Sequence, residues 1–155
     1  MPLRDLFAAS IEELTQDDYN EDQRIAWAGR AEDAEAFAKQ LSANLTLVVH
    51  VEDEHLGFAT LKDNSVFDML YVHPWHARIG VATALADAME KIATARGADA
   101  MTVEASDTAV PFFEDRGYVA TSRNLVEIDD AWLSNTSMTK QLKASAAKEG
   151  AKVVT

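Results

Sequence analysis

Val66-Phe67-Asp68-Met69-Leu70-Tyr71-Val72, running on through His73-Pro74-Trp75-His76-Ala77-Arg78-Ile79-Gly80-Val81-Ala82-Thr83, is the stretch on which the fold turns. The first seven residues are largely apolar and aromatic and read as a strand. Pro74 stops it, because proline cannot donate to a sheet ladder. From Ile79 to Arg96, Leu85, Ala88, Met89 and Ile92 recur at helical spacing, and Gly97 is a natural C-terminal cap. The stretch is therefore a strand, a turn and the start of a helix. The first turn of a helix has unbonded N–H groups and the positive end of the dipole, so it favours an anion. Gly80 and Ala82 let a phosphate approach the backbone, and Arg78 adds a charge. A phosphate cradle is therefore expected at this helix start. Neither GxxxxGK[ST] nor GxGxxG is present, so it is not a Walker loop or a dinucleotide fingerprint.

Upstream, Leu45 to Val51 and Leu56 to Leu61 read as a hairpin around the polar turn Glu52-Asp53-Glu54-His55. Before it, apolar spacing predicts three helices, over residues 3–14, 21–29 and 33–41. Downstream, Ala100 to Ala105 reads as a buried strand. Ser106 and Asp107 are N-cap types for a helix near 107–116, which Gly117 closes. Tyr118 to Ile128 and Ser137 to Leu142 read as the last two strands, joined through Asp129-Asp130-Ala131-Trp132. This order predicts an α/β (α+β) fold. It comprises one mixed, mostly antiparallel sheet with helices on both faces, over residues 1–142, and residues 143–155 form a fraying tail.

The chain has 155 residues, no cysteine and a net charge of −12. Disulfides, thiolate metal sites and a cysteine nucleophile are excluded. No apolar run reaches the ~20 residues of a membrane helix, and no signal peptide is evident, so a cytoplasmic protein is expected. The acidic balance argues against nucleic-acid and anionic-membrane partners and favours a cationic small molecule. No nucleophile-elbow sequence appears, which disfavours a hydrolase.

Leu70-x-Val72-x-Pro74 followed by Arg78-x-Gly80-x-Ala82-Thr83-x-Leu85 resembles motif A of the GCN5-related N-acetyltransferase (GNAT) family. Ala105 to Tyr118 resembles its motif B, and one helix plus one strand separate the two. Leu-Tyr-Val-His-Pro at 70–74 and Asn-x-x-Met-x-Lys at 135–140 are similar to a small bacterial subgroup of uncharacterised acetyltransferases. The likeness runs from about Asp17 to Leu142. It implies acetyl-CoA as co-substrate, with its pyrophosphate on the N–H groups from Arg78 to Thr83. The pantetheine arm would pair with the backbone at Leu70 and Val72, beside Tyr71, Ser106 and Phe113. It also implies that the strands carrying Leu70 and Ala105 splay to admit the thioester. Three departures stand out. Ala77 replaces the usual Gln or Arg, and Phe113 replaces the tyrosine proposed to protonate the leaving thiolate. The family's first strand is also missing or very short.

Two residues are candidate catalytic groups. Asp68, a carboxylate in an apolar strand, is a base or a structural partner. Tyr71 is a substitute for the missing hydroxyl, or packing. Glu104 ends the next strand on a face the sequence does not fix. Tyr19 and Trp27, on helices that in this fold cover the acceptor site, are candidate substrate contacts. His73 and His76 lack a third ligand, so no metal is expected. Trp132 is a lid or an interface contact, which leaves a homodimer open. The reading is direct acetyl transfer to a primary amine of a small molecule in a ternary complex. Its rival is a non-catalytic acyl-CoA-binding module, kept open by Phe113.

Overall fold

A computed structural model describes residues 2–77 and 80–142. Helix α1 (Leu3–Leu14) is followed by α2 (Glu21–Ala28) and α3 (Ala34–Ala43). Asn20 caps α2 reciprocally: its side chain accepts the Gln23 N–H at 2.9 Å, and the Gln23 side chain accepts the Asn20 N–H at 2.8 Å. Asp33 caps α3 by accepting the Ala36 N–H at 3.0 Å. Then come β1 (Leu45–Val51), β2 (Glu54–Lys62), β3 (Val66–Val72), α4 (Val81–Ala95), β4 (Ala100–Ser106), α5 (Val110–Asp115), β5 (Val119–Ile128) and β6 (Ala131–Gln141). The six strands form one sheet in the order β1-β2-β3-β4-β6-β5, antiparallel except for β3 beside β4. No strand precedes α1 among the described residues.

The sheet separates two apolar cores. On one face α4 and α5 bury Leu85, Met89, Met101, Phe113 and Met138. On the other, α1 to α3 bury Leu6, Phe7, Ile11 and Phe37 against Phe58 and Met69. The helices thus lie on both faces, as the pattern predicts. Three details differ from it. The first hairpin turns on Glu52-Asp53 alone, so β2 begins at Glu54. Strand β6 begins at Ala131 rather than Ser137. Asp129 and Asp130 both take positive φ, 47° and 68°, and make a two-residue turn that returns the chain at once. Helix α5 is shorter than expected because Asp107 does not cap it. Instead Ser106 Oγ accepts the Ala109 N–H at 3.2 Å, and Asp107 turns toward β5 and β6. The expected tail, 143–155, lies outside the described residues.

Helix α4 is clamped at two places. Near its C-terminal end Glu90 accepts hydrogen bonds from Lys140 Nζ (2.7 Å), Tyr118 Oη (3.0 Å) and Arg116 Nε (3.1 Å). At its N-terminal end Val81 sits on Gly57 of β2. A Cβ at Gly57 would lie 2.7 Å from Val81 Cγ1 and 3.1 Å from the Tyr71 carbonyl oxygen. Gly57→Ala is therefore expected to force α4 outward and cost about 1–3 kcal/mol in urea unfolding. An unchanged midpoint would show that α4 does not seat on this glycine.

Candidate active site

Strands β3 and β4 pair over two positions only, Val66 with Thr102 and Phe67 with Val103. Beyond Phe67 they part. The β2–β3 register shifts between Thr60 and Leu61, which leaves Asp68 as the extra residue of a bulge at the point of parting. His73 N–H donates to the Leu56 carbonyl at 2.8 Å. Antiparallel alternation then turns the amides of Met69 and Tyr71 toward β2, and those of Leu70 and Val72 toward the gap. On that side, among the described residues, no strand pairs with Leu70 or Val72. A free strand edge thus lines one wall of a wedge whose other wall is Glu104, Ala105 and Ser106.

The N-terminus of α4 lies at the same end of the sheet. Gly80 is its N-cap, in the left-handed region at φ 89°, with no side-chain cap bond. Among the described residues nothing lies within 4 Å of where a Cβ on Gly80 would stand. The N–H groups of the first turn, Val81, Ala82 and Thr83, have no partner within the helix. Arg78 and Ile79, also expected in the cradle, lie outside the described residues. An extended ligand with amide groups on one segment and phosphates on the next would satisfy the strand edge and the helix end together.

The two faces of the wedge differ. On the α4–α5 side Phe113 is 2% exposed and packs its ring on Phe67, Phe112 and Tyr118. It is part of the core on that side. On the other side Tyr71 meets Phe7, Phe58 and Trp27, and Trp27 Nε1 donates to the Tyr71 oxygen at 3.3 Å. Burial pushes the Tyr71 phenol up to about 12, with the Trp27 bond pulling the other way, so it keeps its proton at neutral pH. Asp68 Oδ2 accepts the side-chain amides of Gln40 (3.2 Å) and Asn44 (3.5 Å), at the end of α3. Glu104 Oε2 accepts from Ser137 Oγ (2.7 Å) and Asn124 Nδ2 (3.0 Å).

Tyr19 is 4% exposed and bonded both ways. Its hydroxyl donates to the Ser134 carbonyl at 2.6 Å and accepts the Asp107 N–H at 2.8 Å. It therefore ties the α1–α2 connection to the far wall of the wedge, with its ring edge-on to Trp27 at 5.3 Å. Asp107 is the hub of that wall. It accepts from Ser134 Oγ at 2.6 Å and from both terminal nitrogens of Arg123, Nη2 at 3.1 Å. His73 and His76 stand apart, 3.8 and 3.5 Å from Glu54, beside a hollow of about 850 Å³ rimmed by the exposed Trp75. Among the described residues no three His, Asp or Glu side chains are grouped to hold a metal ion, and no helix is long and apolar enough to cross a membrane. The polar networks around Glu104 and Asp107 are absent from the sequence reading. The only sign of them is the run of Ser, Asn and Thr along the last two strands.

The family profile described as acetyltransferase (GNAT) domain matches residues 15–142. The chain is 30% identical, over 133 residues, to the uncharacterised N-acetyltransferase YafP of Escherichia coli K12, covering 86% of this chain and 83% of that protein. A Rhodopseudomonas palustris crystal structure, described as a GCN5-related N-acetyltransferase and as an aminotransferase of class II, is 52% identical. It superposes with a TM-score of 0.88 over 90% of this chain and 87% of that one. The PaiA N-acetyltransferase of Thermoplasma acidophilum, solved with coenzyme A, shares the fold at 16% identity and a TM-score of 0.70, over 90% of each chain.

The Asp107 cluster gives a pH prediction. Burial alone would raise its carboxyl, but the bonds from Arg123 and Ser134 outweigh burial and hold it below the usual range. The unfolded chain then takes up a proton first on acidification, so the cluster stabilises fully above the ordinary carboxylate pKa and less as pH falls through the lowered one. Asp107→Asn should lower the melting temperature by a few degrees near neutrality, and the gap should narrow as pH falls below the ordinary carboxylate range. A gap that stays constant on this acidification would place the ionised form of Asp107 outside the stabilising network.

Proposed function

Because the chain belongs to the GNAT acetyltransferase family, we propose that it transfers the acetyl group of acetyl-CoA directly to a primary amine of a small molecule, both held at once. The observation that carries the reading is the meeting of a free strand edge, Leu70 to Val72, with an uncapped helix N-terminus at Gly80 to Thr83. The first suits the amides of a pantetheine arm and the second a pyrophosphate. Arg78 and Ile79 extend the cradle on this reading. Ser106 flanks the arm, and Phe113 forms the apolar floor. Acetyl-CoA supplies an acyl group activated as a thioester. The Thermoplasma PaiA neighbour holds coenzyme A, and a Salmonella typhimurium neighbour, YncA, holds acetyl-CoA, which supports a coenzyme A thioester as the ligand here.

The acceptor side of the wedge is aromatic, with Tyr71 against Trp27 and Trp27 against Tyr19. Tyr71, protonated at neutral pH, is the group we assign to give its proton to the departing thiolate in place of the hydroxyl that Phe113 lacks. Asp68 is a positioning residue on this reading, fastening the bulge to the end of α3. The net charge of −12 favours a cationic acceptor.

Thiol release from acetyl-CoA with a panel of primary amines tests the reaction. Gly80→Glu should weaken acetyl-CoA binding by about 100-fold, roughly 2.7 kcal/mol, in calorimetry while the circular dichroism of the fold is kept. Unchanged affinity in the folded variant would refute the cradle. Binding by the wild type without thiol release to any amine would make the chain a non-catalytic acyl-CoA-binding module instead.

A further inference from the structure

We propose that Glu104 is the carboxylate that takes the proton from the acceptor's ammonium group. The assignment rests on the acetyl-transfer reading above. Along β4, Met101, Val103 and Ala105 are buried in the core beneath α4 and α5. Alternation therefore turns Thr102, Glu104 and Ser106 to the opposite face, the face of Met69 and Tyr71. Val103 is the last residue of β4 that pairs with β3. Glu104 is thus the first residue past the apex of the wedge, on the side that Trp27 and Tyr71 line, and it is exposed.

Its surroundings suit a base. Ser137 Oγ and Asn124 Nδ2 both donate to Oε2, and Asn124 is itself held by Asn135 Oδ1 at 3.0 Å. These partners are neutral: they fix the carboxylate without cancelling its charge, and no hydrogen bond to Oε1 is found among the described residues. Among the described residues, the charged and titratable groups around this face include Asp68 and Tyr71 on β3, Asp18, Tyr19 and Arg30 near α2, Asp107 after β4 and Arg123 on β5. Arg123 is engaged by Asp107. Asp68 lies across the apex but is the bulge residue, and its Oδ2 carries the two amides from α3 and its end.

The ammonium gives one proton to Glu104 Oε1, and the neutral nitrogen attacks the thioester carbonyl carbon. The carbon–nitrogen bond forms and the carbon–sulfur bond breaks, its electron pair leaving on sulfur. The nitrogen's surplus proton reaches the sulfur by way of Tyr71 or water, and Glu104 returns its proton to solvent.

The test compares two acceptors, n-butylamine, an ammonium ion at neutral pH, and 2,2,2-trifluoroethylamine, which is largely uncharged there. Glu104→Gln is expected to lower kcat with n-butylamine by about 10²–10⁴-fold and to remove the acid limb of the pH–rate profile. With trifluoroethylamine the loss should shrink to under about tenfold, because that amine needs no proton removed before attack. Acetyl-CoA affinity by calorimetry should stay within about twofold of wild type, which also reports an intact fold. Glu104→Asp should recover part of the rate. An equal loss with both amines, or a persisting acid limb, overturns the role of Glu104 while leaving acetyl transfer standing, and so does an acid limb lost in Asp68→Asn alone. A wild type that releases no thiol with these or the wider panel overturns the transfer reading, and this assignment with it.

Discussion

The contact on which the site depends is the short parallel pairing of β3 with β4. Val66 and Phe67 meet Thr102 and Val103, and the Phe67 ring is anchored on Phe113 at 5.5 Å. Past that point the bulge at Asp68 shifts the register of β3 on β2. Buried main-chain amides almost always find partners, so an edge left open at Leu70 and Val72 within a six-stranded sheet is a place for something else to pair. The same parting brings Glu104 to the rim instead of under a neighbouring strand. One break in pairing therefore supplies both a docking edge and a reactive gap.

The rest of the fold holds that gap in shape. Helix α4 is seated on Gly57 at one end and tied through Glu90 to Arg116, Tyr118 and Lys140 toward the other. Those ties lie away from the N-terminus, so the first-turn N–H groups stay available while the helix axis stays put. The opposite wall is fixed by Asp107, Arg123 and Ser134, and Tyr19 fastens the α1–α2 connection to it. Tyr19, expected as a substrate contact, has both its hydrogen-bonding roles occupied by main chain, and its ring lies edge-on to Trp27.

What was legible in the sequence is what local pattern encodes. The strand, turn and helix around Pro74 and Gly80 follow from proline chemistry, apolar spacing and small residues, and the structure has them within a few residues. The contacts that cross the chain were not legible. Asp107 looks like a helix cap because its type and position suit one, yet partners 16 and 27 residues away claim its carboxylate. The start of β6 is hidden in the sequence because Asp129-Asp130 carries no glycine to announce a turn with two positive φ angles. The face of Glu104 could not be chosen until the burial of Val103 and Ala105 set the alternation. The departure at Phe113 was visible at once. Its consequence depended on finding the ring in the core and the Tyr71 hydroxyl on the opposite face.

The central claim is that acetyl-CoA completes the open edge of β3 and the open end of α4 together. Amide hydrogen exchange of the protein with and without acetyl-CoA tests it most directly. The account predicts slowed exchange at Leu70 and Val72 and at Val81, Ala82 and Thr83, with little change at Tyr71, whose amide already faces β2. Saturating acetyl-CoA that leaves those five amides unprotected, or protects only residues elsewhere, would contradict it.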